Sequence, residues 1–214
     1  MAPNSATDAP WLTIWTEPRR TIRQIVDRDP SHGVLLIAAL AGALSTLEAR
    51  WMAMPTHPVG VTWPLFVAIS AGFGAILGIV ALYIDGFLLK WTGAMLGGVA
   101  NYAEVRAALA WSEIPAIAAV VIGIVAVLLG VAGPMAPGMS PMARRGTGLE
   151  LLHLALGAWS FVLSLKCLGE VHRFSAWRAL GSIIVLLLAI VVVIFVLIMA
   201  GVSIGRLMHP TATI

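Results

Sequence analysis

Residues Gly97–Pro115 read GGVANYAEVRAALAWSEIP. This is the one long polar interruption in the middle of a chain whose flanking segments are almost wholly apolar. It carries Asn101, Tyr102, Glu104, Arg106 and Glu113, and ends at a proline where the next apolar run begins. At about 100° per residue, Tyr102, Val105, Leu109 and Ser112 share one helical face, with Glu113 beside them. The spacing predicts a helix lying along a membrane surface and turning inward at Ser112–Pro115.

Working outward, the composition agrees. Of 214 residues, 60% are hydrophobic and only 11% charged, which leaves too little polar surface for a soluble globule. Mean hydropathy is +0.97. Several runs approach or exceed the roughly 18–20 apolar residues that cross a bilayer core. A net charge of +3 would suggest nucleic acid in a soluble protein. Here the basic residues flank apolar runs, where they orient a chain in a membrane, and no nucleic-acid partner is expected. Arginine outnumbers lysine eleven to two, which points to a GC-rich bacterial genome. The single cysteine, Cys167, makes no internal disulfide.

The expected fold is an all-α integral membrane bundle of five transmembrane helices, preceded by an N-terminal amphipathic interfacial helix. Residues 1–31 form the cytoplasmic N-terminal segment and 32–209 the membrane domain, with spans at about 33–54, 63–89, 112–133, 149–168 and 179–205. Residues Met1–Asp8 are small and polar and are expected to lack structure. From Trp11 onward, Trp11, Ile14, Trp15, Pro18, Ile22, Ile25 and Val26 fall on one side of a helical wheel, with Arg20, Arg23 and Asp27 opposite. Tryptophans on an apolar face and arginines on the other describe a helix at the membrane surface. Pro18 starts a helix at Glu17–Pro18, and Asp29–Pro30 ends it. Pro55, His57 and Pro58 mark a short loop, and Pro134–Gly148 a longer one.

Five spans put the termini on opposite sides. With the N-terminus inside, the inner segments hold Arg19, Arg20, Arg23, Arg28, Lys90, Arg106, Lys166, Arg173 and Arg178, nine cations. The outer segments hold Arg50, Arg144, Arg145 and Arg206, four. The excess predicts a cytoplasmic N-terminus and a C-terminus outside, in the bacterial inner membrane.

Three pieces in succession resemble the Yip domain, the membrane domain of the Ypt-interacting protein family. They are Trp15-Thr16-Glu17-Pro18; then Gly97-Gly98, Tyr102, Glu104, Arg106, Trp111-Ser112 and Pro115; then Leu168, Glu170, His172, Ser175 and Arg178-Ala179. The resemblance implies five spans with a cytoplasmic N-terminus. In eukaryotes such proteins are implicated in vesicle traffic and contact Rab-type GTPases, partly through longer N-terminal regions. Residues 1–31 are short by that measure, which places the resemblance in the bacterial branch.

The candidate polar cluster is Asp85, Glu104, Arg106, Glu113, Lys166, Glu170 and His172, with Asn101 and Tyr102 on the same side. Charges within or at the ends of spans face the protein interior or water, because lipid does not solvate them. The cluster is therefore either a cytoplasm-facing pocket or a set of structural pairs, such as Asp85–Lys166 or Glu113–Lys166. On the other side, Glu48, Arg50, His57, Glu150 and His153 are placed to converge. Glu150 and His153 form one E-x-x-H pair, where a di-metal carboxylate site needs two. Gly74/Gly78 and Gly201/Gly205 lie in spans at G-x-x-x-G spacing and permit close helix packing or self-association. No phosphate-binding glycine loop, cysteine cluster or nucleophile elbow is present. The expectation is a non-enzymatic scaffold or interaction protein with no metal and no cofactor. Its partners would be the bilayer, membrane or cytoplasmic proteins, or further copies of itself. The alternative is a small transporter or channel using the inner polar residues.

Overall fold

The computed structural model describes residues 9–53, 62–129 and 147–208. Every regular element among them is a helix: α1 (Pro10–Thr13), α2 (Pro18–Arg28), α3 (Val34–Ala53), α4 (Trp63–Met95), α5 (Tyr102–Ser112), α6 (Ile114–Leu128), α7 (Thr147–Val171) and α8 (Ala176–Met208). The expected polar start at 1–8, the loop around His57 and nearly all of the loop at 134–148 lie outside the described residues.

Among the described residues, four helical stretches are long and apolar enough to cross a membrane: Trp63–Met95, Tyr102–Ala126, Gly148–Val171 and Ala176–Ser203. The last buries none of its most apolar window within the protein. From Ile190 to Ser203 every residue is exposed, and nearly all are apolar, a pattern that only a lipid or protein environment satisfies.

Helix α3 packs along α4 through backbone. A Cβ on Gly42 would collide with the Gly74 carbonyl, and one on Gly78 would collide with the Ala38 carbonyl. A Cβ on Gly74 would come within 2.5 Å of Thr46 Oγ1. The G-x-x-x-G spacing at Gly74/Gly78 therefore brings two helices into close contact inside one chain. Gly201 has open space around it.

Helix α2 starts at Pro18, whose ring suits a first turn, and ends where Asp29 turns extended before Pro30. Its apolar side chains are not offered to lipid. Pro18, Thr21, Ile22, Ile25 and Val26 are buried, as is Ile14 before them. They join a core with Leu163, Cys167, Leu168 and Val171 of α7 and Val105 and Trp111 of α5. The chain's own bundle supplies the apolar surface that the helix needs; Trp11 and Leu12 remain exposed.

The central stretch also departs from expectation. Rather than lying along a surface, α5 is buried along most of its length, through Val105, Ala107, Ala108, Ala110, Trp111 and Ser112. Its alanines have no side chain beyond Cβ, so α2, α3, α4 and α7 can approach it closely. Of the four residues that share one face by periodicity, Val105 and Ser112 are buried, Leu109 is partly buried and Tyr102 is exposed. The predicted turn at Ser112–Pro115 is present as a break between α5 and α6. Pro115 has no N–H for the Trp111 carbonyl, and the next N–H, that of Ala116, donates to Ser160 Oγ of α7 at 2.9 Å. Trp111, 1% exposed, donates its indole N–H to the His32 carbonyl at 3.2 Å and ties α5 to the start of α3.

Candidate functional site

The polar cluster expected from the sequence divides into separate assemblies. Glu170, in the last turn of α7, accepts from Arg23 of α2. Nε and Nη2 reach Oε1 at 3.1 and 3.0 Å, and Nη2 also reaches the Glu170 carbonyl at 2.7 Å. A helix C-terminus carries orphan carbonyls and partial negative charge, so a guanidinium there serves both backbone and carboxylate. The helical wheel puts Arg23 opposite the apolar face, yet its side chain is only 29% exposed. The available signal was its position between Ile22 and the Ile25–Val26 pair, at the edge of the apolar face.

Glu104 closes a capping box at the start of α5. Asn101 Oδ1 accepts from the N–H groups of Ala103 and Glu104 at 2.9 and 3.0 Å, and Glu104 Oε2 accepts from the Asn101 N–H at 2.9 Å. Arg106 lies across Gly86, where a Cβ would meet its Cγ at 2.7 Å, and holds its guanidinium 4.6 Å from the Tyr83 ring centre. Beside it, Lys90 sits 4.9 Å from the centre of the Tyr102 ring, which stacks on Phe87. Asp85 is exposed on α4.

Lys166 turns to the Trp159 ring, 5.6 Å from its centre. No ion pair among the described residues joins Lys166 to Asp85 or Glu113. The pairings Asp85–Lys166 and Glu113–Lys166, considered from sequence, are not formed. The reason is local: α7 offers Lys166 a ring two turns back on its own surface, and a cation–π contact needs no second helix.

Glu113 instead meets residues assigned to the opposite side. It lines a cavity of about 130 Å³ with Ser45 and Glu48 of α3 and His153 and Gly157 of α7. Glu48 Oε1 lies 3.1 Å from His153 Nε2. The break at Pro115 aims Glu113 toward α3, a direction that regular helix periodicity does not supply. Among the described residues, no group of three or more His, Cys, Asp and Glu side chains is arranged to hold a metal ion.

His172 is the least exposed of the cluster, at 1%. Its ring stacks on Phe174 with centroids 5.0 Å apart and planes 2° from parallel. It fills a slot between Gly93 at the end of α4 and Gly98 in the α4–α5 connection. A Cβ on Gly93 would fall 2.5 Å from Nε2, and one on Gly98 would collide with Nδ1. Among the described residues, neither ring nitrogen makes a well-formed hydrogen bond. Burial lowers its pKa below the ordinary histidine value; Glu104 opposes this, Lys90 adds to it, and the Leu89 carbonyl opposes it.

The Arg23–Glu170 pair, the α5 cap and the His172 slot involve α2, the start of α5, the end of α4 and the α7–α8 turn, where the sequence motifs lie. The model of the Yip1 domain matches residues 12–198. No curated protein and no solved structure matches the chain. With that match covering most of its length, and with apolar helices of spanning length, the chain belongs to the Yip1 domain family of membrane proteins.

Proposed function

We propose that this protein is a non-enzymatic scaffold of the bacterial inner membrane, with five spans, its N-terminus in the cytoplasm and its C-terminus outside. Helix α3 is the fifth span: its 20 residues give about 30 Å of helix, the thickness of a bilayer core. The cytoplasmic face, built from α2, the α5 start and the α7–α8 turn, is the working surface for membrane or cytoplasmic proteins.

The observation that carries this reading is the docking of α2. Arg23 and Glu170 pin the N-terminal segment to the bundle, and the charged groups around it hold structural partners in place of a shared reacting centre. Such an arrangement makes a stable polar platform. Proximity labelling from the N-terminus in native membranes tests it, with a recurrent protein neighbour expected; labelling indistinguishable from that of an unrelated membrane protein overturns it. A reporter fused after Ile214 is expected to be active only outside the cytoplasm, and activity inside overturns the five-span topology.

One observation favours a second reading. The cavity shared by Glu48, Glu113 and His153 puts three ionisable groups in one space, as a small-cation pathway requires. Liposomes containing the protein are expected to show no proton or sodium flux. Flux that Glu113→Gln abolishes would establish transport instead.

A further inference from the structure

His172 combines three features that a purely structural side chain does not need. It is fully enclosed, neither nitrogen makes a well-formed hydrogen bond, and two glycines from another part of the chain make the slot it occupies. A buried polar ring without partners is costly, and an apolar residue of the same shape would stack on Phe174 without that cost. The turn that carries it is also unusual. Arg173 takes a left-handed backbone conformation, with φ at 58°, where side-chain-bearing residues are uncommon.

We propose that His172 is a proton-operated latch. As a neutral ring it locks the α7–α8 turn into the α4–α5 junction; protonated, it leaves the slot and loosens the turn together with α2.

An imidazolium carries two N–H donors and a charge; neither ring nitrogen makes a hydrogen bond in the slot, where the backbone of Leu89 is the one main-chain group that favours the charged ring. The charged groups acting on the ring are Glu104 of α5 and Lys90 of α4. Glu104 is committed to the Asn101 N–H, and Lys90 has the same sign as the protonated ring. On the ring's own segment, Glu170 faces Arg23 of α2 and Arg173 is exposed; Arg178 of α8 is exposed as well. Among the described residues, neither carboxylate near the ring, Glu104 or Glu170, is free to receive the new charge. The turn is bonded back to α7, with Phe174 N–H donating to the Gly169 carbonyl at 2.9 Å. Release of the ring thus disturbs residues 169–172, including the Glu170 carbonyl and carboxylate that Arg23 grips. Acidification frees α2, whose apolar face then becomes available to the membrane surface.

The chain contains its own reporter. Cys167, its single cysteine, is fully buried, with Sγ 3.9 Å from the Pro18 carbonyl at the start of α2. In lipid nanodiscs, the rate at which Cys167 reacts with dithiodipyridine is divided by its rate in denaturant at the same pH, which cancels the intrinsic pH dependence of the thiol. This protection is expected to fall about tenfold between about pH 8 and about pH 5.5 in the wild type, and to stay flat in His172→Gln and His172→Phe. Lys90→Met, which leaves His172 in place, is expected to move the midpoint to higher pH by removing a repelling cation. Flat protection in the wild type overturns the latch. So does an equal fall in the His172 variants, or a midpoint that Lys90→Met leaves unmoved. The test reads only the chain's own conformation, so it stands or falls separately from the scaffold reading.

Discussion

Arg23 and Glu170 are 147 positions apart in the chain, yet Arg23 Nη2 holds both the carboxylate and the backbone carbonyl of Glu170, at 3.0 and 2.7 Å. The pair joins the N-terminal segment to the end of α7. Both side chains are about three-quarters sheltered, 29% and 27% exposed, so solvent weakens the interaction only in part.

Deleting either partner should therefore loosen α2. Arg23→Met and Glu170→Gln are each expected to destabilise the protein by about 1–3 kcal/mol, the cost of leaving a sheltered hydrogen-bonding group without its partner. A double-mutant cycle followed by unfolding in detergent checks this. Additive losses would show that the two residues act independently.

Close packing of α3 on α4 makes a sharper prediction. Gly78→Leu drives a side chain into the Ala38 carbonyl and is expected to cost about 3 kcal/mol or more, whereas Gly201→Leu, in open space, is expected to be silent. Thermal unfolding of the two variants side by side decides it. Equal effects would contradict the α3–α4 contact.

Lys166→Met is expected to be mild, at about 0.5–1 kcal/mol, because the lysine covers a tryptophan ring and neutralises no buried acid. A loss of several kcal/mol, recovered when Asp85→Asn and Glu113→Gln are added, would restore the ion-pair reading.

The pH dependence of stability has a definite sign. His172 in the folded protein sits below its ordinary value of 6.5, so between those two values the unfolded chain binds more protons than the folded one. This contribution to stability is complete above 6.5 and is lost as pH falls through that value toward the folded pKa. Unfolding midpoints measured from neutral to acid pH should decline in the wild type and decline less in His172→Gln. A parallel decline in the two proteins would remove His172 as the cause.

Composition and apolar run length by themselves determined the class of the molecule. A chain this apolar has no stable arrangement in water, and the runs between its prolines and glycines are long enough for helices to cross a bilayer. The start of α2 at Pro18, its end at Asp29 and the interruption at Ser112–Pro115 were equally legible, since capping and proline act within a few residues. Tertiary structure alone decided which surface each helix meets. A helical wheel separates an apolar face from a polar one but does not tell lipid from protein, because both satisfy apolar side chains. Hence α2 and α5, expected at a membrane surface, close instead on the bundle's own core. The same ambiguity governed the charges. Lys166 chose a ring, Glu170 chose Arg23, and Glu113 joined Glu48 and His153 across the bend at Pro115. Pairings between segments so far apart in the chain depend on helix rotation and crossing, which arise only when all the helices pack together.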